Sequence, residues 1–146
     1  MGASILIRES NSVEETESIA AELARKLRGG ECVALHGDLG AGKTQFTRGI
    51  VRGLNGNPKS VSSPTFVLLN VYEGGRLAVY HLDAYRVHGS DDFAAIGFTE
   101  LLEQGGVVVV EWAEKVESLI PKNRIDVKMT HTGDTSRRIE ISNQIS

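Results

Sequence analysis

The sequence predicts a three-layer α/β domain with a mixed sheet and antiparallel edge strands, and three observations carry that prediction. The apolar run Cys32-Val33-Ala34-Leu35-His36 leads through a glycine-rich loop into a helical pattern. Val107-Val108-Val109-Val110 is an unbroken apolar run, as expected of a central strand covered on both faces. Turn signals at Gly74-Gly75 and Gly133-Asp134 separate short strand-like segments, the pattern of hairpins that add antiparallel strands to such a sheet.

Taken in order, residues 4–8 form a short apolar strand, followed by the polar stretch Glu9-Ser10-Asn11-Ser12. Ser12 is an N-cap with Glu15 three residues on, and Val13, Ala20, Leu23, Ala24 and Leu27 recur at helical spacing until Gly29-Gly30. After the strand at 32–36 and its loop, residues 43–54 read as a helix. A polar connection then leads through Pro64-Thr65 to a strand at 66–72 and a second hairpin arm at 76–82, closed by Asp83. Ser90-Asp91-Asp92 caps a helix running to about Gln104, interrupted near Gly97, which weakens it. The valine strand delivers Glu111-Trp112 at its end. A short helix at 114–119 stops at Pro121, and segments 125–130 and 138–142 close the chain as a hairpin. No repeat, linker or low-complexity tract interrupts residues 1–146, which are expected to form one domain.

Composition narrows the class further. The 146 residues carry a formal charge of −3, which argues against strong nucleic-acid binding by this domain alone, since backbone affinity depends on clustered lysine and arginine. The single cysteine, Cys32, excludes a disulfide framework and a multi-cysteine zinc cage. His36, His81, His88 and His131 show no zinc spacing, and His36 and His81 read as strand packing residues. No apolar run approaches the roughly 20 residues of a membrane helix, and the opening residues lack a secretory apolar region, so the expected compartment is the cytoplasm, with no membrane partner.

Gly37-Asp38-Leu39-Gly40-Ala41-Gly42-Lys43-Thr44 matches the phosphate-loop pattern G-x-x-x-x-G-K-[ST] in full. With this composition, such a match arises by chance in about 1% of chains of this length. The flanking strand and helix are those the chemistry needs. Glycines let successive backbone N–H groups, from Asp38, Leu39, Gly40, Ala41 and Gly42 onward, point at phosphate oxygens, and the helix N-terminus adds its positive dipole end. Lys43 then reaches the β- and γ-phosphates and the Thr44 hydroxyl ligates Mg²⁺. The expected fold is therefore P-loop NTPase-like, with ATP and Mg²⁺ as ligands.

A phosphate loop needs an acid near the metal. Glu111, ending the valine strand, resembles a Walker B carboxylate, touching Mg²⁺ or holding one of its waters; the plainer alternative is a strand-end glutamate in solvent. Asp83 closes a second strand and either joins the metal shell or orients attacking water, unless it is only a turn aspartate. Thr65, at the head of a strand after a polar loop, suits a switch residue sensing the γ-phosphate, though β-branched residues also simply start strands. Trp112 packs near the nucleotide or a partner, or anchors the core.

GDLGAGKT at 37–44, SPTF at 63–66, HLDAYR at 81–86 and Glu111-Trp112, in this order across nearly the whole chain, resemble the TsaE (YjeE) family of bacterial ATPases. The resemblance implies an ATP-binding and ATP-hydrolysing accessory protein, weakly active alone. It further implies a requirement in threonylcarbamoyladenosine modification of the tRNA adenosine next to the anticodon, through action on the TsaD–TsaB complex. Contact with tRNA is then indirect, through those partners, which agrees with the acidic charge. The resemblance also implies that Lys43 and the loop amides hold phosphates, Thr44 and Glu111 serve Mg²⁺, Thr65 is switch-like, and Asp83 is needed for hydrolysis. It gives Tyr85, Arg86 and Trp112 to the nucleotide site or a partner surface, and it nominates Thr16 and Arg137 as nucleotide contacts. Ala84 stands where many members carry a larger apolar residue, a difference of packing. A second reading keeps ATP binding but makes the protein a nucleotide-gated adaptor whose hydrolysis is incidental. A small-molecule kinase fits less well, since no arginine-rich lid segment follows the loop.

Overall fold

The computed structural model of the chain describes residues 4–37, 42–61, 69–84 and 97–143. Among these, seven strands form one mixed sheet: β1 (Ser4–Ser10), β2 (Cys32–His36), β3 (Leu69–Tyr72), β4 (Val79–Asp83), β5 (Val107–Glu111), β6 (Ile125–His131) and β7 (Arg137–Asn143). Their order across the sheet is β1-β7-β6-β2-β5-β4-β3. The inner strands β6, β2, β5 and β4 run parallel, while β3 and β7 add antiparallel to β4 and β6, and β1 pairs antiparallel with β7. The helices are α1 (Val13–Ala24), α2 (Lys43–Gly53) and α3 (Phe98–Glu103), with 3-10 segments at Pro58–Ser60 and Ala113–Leu119.

Period-2 alternation along the strands sorts the core into two layers. Val33, Leu35, Val107, Val109, Ile125 and Val127 pack with Ile19, Ala20 and Ala24 of α1 and Phe46 and Ile50 of α2. Their neighbours Cys32, Ala34, Val108 and Val110 face the other way, against Phe98 and Leu101 of α3 and Val116 and Ile120. Helical elements therefore cover both faces of a mixed sheet, the predicted three-layer arrangement. Strand β5 is buried along its whole length, as its valine run requires. At about 1.5–3 kcal/mol for each fully buried aliphatic side chain, these four positions anchor both layers.

Helices α1 and α2 pack unusually close through small residues. A Cβ on Gly49 would lie 2.3 Å from the Glu17 carbonyl oxygen, and one on Gly53 2.6 Å from that of Ala21. Only hydrogen at both positions lets α2 approach α1 this nearly, and the approach sets where α2 begins relative to the sheet.

Several elements differ from expectation for local reasons. β1 runs on through Glu9 and Ser10, because β7 offers partners as far as Arg137. The Ser12 side chain caps α1 by accepting from Glu15 N–H at 3.1 Å, as predicted. The helix ends at Ala24, however, where Lys26 and Leu27 N–H groups switch to 3-10 bonds to Leu23 and Ala24. Val13, assigned to its apolar face, is exposed, and Thr16, Ile19 and Ala21 are buried instead. Strand β4 starts at Val79 and not Arg76, since Arg76 N–H bonds the Leu54 carbonyl at 2.6 Å and ties that stretch to the end of α2. The β3–β4 hairpin itself stands, with Tyr72 opposite Val79, and so does the β6–β7 hairpin. Gly97, at φ +80°, starts α3, and positions 90–96 of the predicted helix lie outside the described residues, as do 66–68 of the predicted strand. The segment after β5 is 3-10 with a non-helical Val116. Among the described residues no helix is long and apolar enough to cross a membrane.

Candidate functional site

The parallel strands end together along one edge of the sheet, and the functional side chains collect there. Gly37 follows β2, Trp112 follows β5, and those two strands are neighbours with Leu35 opposite Glu111. Helix α2 starts at Lys43, and Gly42 before it adopts φ +104°, a left-handed conformation that suits glycine. Lys43 is buried, donates to the Gly37 carbonyl at 2.6 Å, and places its Nζ 3.6 Å from the centre of the Trp112 ring. Its ammonium thus spans the ends of two adjacent strands. Trp112 holds φ +59°, uncommon for a bulky residue, which turns its ring back over the lysine. Thr44 is half-buried in the first turn of the same helix.

Two carboxylates end strands at the same sheet edge. Asp83 ends β4, Glu111 ends β5, and the register sets them directly opposite each other. Alternation places both on the face that α1 and α2 cover, with Val79 and His81 of β4 and Val107 and Val109 of β5. Both are buried, Glu111 at 5% exposure and Asp83 at 9%. Adjacent buried carboxylates repel and lose hydration, so an arrangement of this kind requires donors or a cation. One donor is His81, fully buried, whose Nε2 bonds Glu111 Oε2 while its Nδ1 lies 3.1 Å from the Tyr72 hydroxyl. His81, read from the sequence as a packing residue, is instead a polar link between β3, β4 and β5. Its partners lie on other strands, so spacing along the chain carried no signal.

The N-terminal strand and the C-terminal hairpin reach the same edge. Ser10 stands opposite Arg137 in the β1–β7 register, and a Cβ on Gly42 would lie 3.0 Å from Arg137 Nε. Thr16 is fully buried; its hydroxyl pairs with Ser10 Oγ at 2.8 Å and donates to the Ser12 carbonyl at 3.2 Å. Thr16 and Arg137, nominated from distant parts of the chain, therefore meet through Ser10 beside the start of α2. Asp38, Leu39, Gly40, Ala41, Thr65, Tyr85 and Arg86 lie outside the described residues.

On the opposite face, His36 Nε2 lies 2.9 Å from Asp126 Oδ1 and its Nδ1 3.3 Å from Glu114 Oε2, so this histidine too is polar linkage and not packing. Arg124, buried, donates to Asp126 at 2.9 Å and Glu117 at 2.8 Å. Burial pushes the Asp126 carboxyl upward, but the hydrogen bonds from Arg124 and His36 outweigh it and hold the group below its ordinary value. Burial likewise works against the Arg124 guanidinium, and Asp126 and Glu117 raise it on balance.

Fold and site together define a three-layer α/β protein with a buried lysine and paired carboxylates at the carboxyl edge of its parallel strands. The family model described as "Threonylcarbamoyl adenosine biosynthesis protein TsaE" matches residues 10–139, and the chain belongs to the TsaE family. Among relatives, the tRNA threonylcarbamoyladenosine biosynthesis protein TsaE of Bacillus subtilis (strain 168) is 40% identical over 126 residues, covering 86% of this chain and 78% of that one. The protein of the same name from Treponema pallidum (strain Nichols) is 39% identical over 133 residues, covering 91% and 97%. A crystal structure of Bacillus subtilis YdiB superposes with a TM-score of 0.77 at 33% identity, covering 98% of this chain and 88% of that one.

Proposed function

We propose that this chain is a Mg²⁺-dependent ATPase of P-loop NTPase-like fold that serves threonylcarbamoyladenosine biosynthesis in the cytoplasm, acting on the TsaD–TsaB complex and reaching tRNA only through it. The pathway rests on family membership and on the names its relatives carry. The observation that carries the chemistry is the meeting, at one sheet edge, of Lys43 at the head of α2 with the opposed carboxylates Asp83 and Glu111.

The roles follow from these positions. Lys43 exchanges its contacts with Gly37 and Trp112 for phosphate oxygens, carried by the phosphate-loop amides and the N-terminus of α2. The donors near it are hydroxyl and carboxylate oxygens, a hard set suited to Mg²⁺. Mg²⁺ is commonly held by one or two protein ligands and completed by phosphate and water. Thr44 and Glu111 are the residues that would hold Mg²⁺, whose positive charge would offset charge on the phosphate oxygens. Asp83, beside Glu111 but on the next strand, orients the attacking water and accepts its proton. Closure by Arg137 and the β6–β7 hairpin, near Gly42, orders the nucleotide.

Multi-turnover tRNA modification with Asp83→Asn separates this reading from a nucleotide-gated adaptor. The variant keeps ATP binding. Modification limited to about one turnover per complex supports hydrolysis as the functional step; full multi-turnover modification favours the adaptor.

A further inference from the structure

Resting on the Mg²⁺–ATP reading above, we infer that Tyr72 and His81 are positioning residues that fix the orientation of the Glu111 carboxylate toward the metal. The chain of contacts is short and dry. Tyr72 is 7% exposed, His81 fully buried and Glu111 5% exposed. The Tyr72 hydroxyl and His81 Nδ1 are 3.1 Å apart, and His81 Nε2 bonds Glu111 Oε2. The carboxylate accepts, so Nε2 carries the hydrogen and Nδ1 is left to accept from the tyrosine hydroxyl, which fixes both tautomer and ring plane. The rings of Tyr72 and His81 also pack at 5.8 Å with a 49° tilt, which limits rotation.

The sheet explains why these three residues meet. Tyr72 pairs with Val79, His81 pairs with Val109, and Glu111 lies two residues beyond Val109 on the same face. A link thus runs diagonally across three strands into the acid at the sheet edge. Its consequence is an asymmetric carboxylate. Oε2 is committed to His81, and Oε1 remains for the cation or its water. Without that donor the Glu111 side chain turns about its last torsion, next to the like-charged Asp83, and its lone pairs are no longer aimed. Partners that orient metal-binding carboxylates and histidines in this way are worth about 10–100-fold in metal affinity.

The test is Mn²⁺ binding to the protein–ADP complex, followed by electron paramagnetic resonance, beside ADP affinity in EDTA. His81→Leu weakens Mn²⁺ binding at least about tenfold and Tyr72→Phe a few-fold, while ADP affinity in EDTA stays within about twofold. His81→Gln, whose amide can reproduce the Nε2 donor, recovers most of the loss. If His81→Leu fails to fold, Tyr72→Phe against His81→Gln decides. Unchanged Mn²⁺ affinity in Tyr72→Phe, equal losses in both affinities, or no recovery by His81→Gln overturns the positioning role while leaving the ATP site standing. Wild-type protein that binds ADP but not Mn²⁺ overturns the Mg²⁺ reading and this inference with it.

Discussion

The Lys43 ammonium lies over the Trp112 ring, 3.6 Å from its centre, and donates to the Gly37 carbonyl. A cation over an indole is stabilised by about 0.5–2 kcal/mol, the larger value when desolvated. To reach a phosphate the lysine leaves the ring. Trp112 is the sole tryptophan of the chain, so its emission reports that exchange directly. Titration with ATP in EDTA shifts or quenches the fluorescence of the wild type, and Lys43→Ala abolishes the response. A spectrum that ignores saturating ATP contradicts the assignment of Lys43 to phosphate.

Gly49 is where α2 touches α1. Gly49→Ala drives a methyl group into the Glu17 carbonyl, 2.3 Å away, and backbone cannot yield as a side-chain tip does. The expected cost is about 1–3 kcal/mol, read as a lower denaturant midpoint at unchanged slope. An unchanged midpoint would show that the helices separate without penalty.

Much of this architecture was legible because the layers are written in periodicity. β2 was delimited to the residue and β5 to within one by apolar runs bounded by glycine and by charge, and the β3–β4 and β6–β7 hairpins followed from turn chemistry. What the sequence hid was neighbourhood. Nothing along the chain says that β4 lies beside β5, and only that adjacency sets Asp83 against Glu111 and gives His81 its carboxylate. The same holds for Arg76, whose strand-like surroundings lose to a hydrogen bond with the end of α2. Candidate acids were visible from strand ends; the groups that orient them were not.

Asp126 makes stability depend on pH. Its folded-state carboxyl titrates below the ordinary value of 3.8, so its contribution is complete above that value and is lost as pH falls through the folded one. Asp126→Asn keeps an acceptor oxygen but removes the negative charge that Arg124 faces, and costs about 1–3 kcal/mol at pH 7. Comparing unfolding free energies of the two proteins from pH 6 to pH 2.5, the gap narrows below about pH 4. A gap independent of pH would contradict the ion pair.

Burial pushes the Cys32 thiol up to about 12. At pH 8 the thiolate fraction is on the order of 10⁻⁴, and the side chain is buried in the layer that holds Val108, Phe98 and Leu101. Thiol reagents therefore modify the folded protein only at its opening rate and label it at once in denaturant. Rapid labelling of native protein would mean that the β2 core opens freely.

ATP turnover by wild type and Lys43→Ala, each alone and with the TsaD–TsaB complex, tests the proposed Lys43-dependent ATPase. Wild-type hydrolysis is expected to be slow and stimulated severalfold or more by the complex, with a loss of about 100-fold in the variant under both conditions. Equal turnover by the two proteins, or a wild type indifferent to the complex, would contradict it.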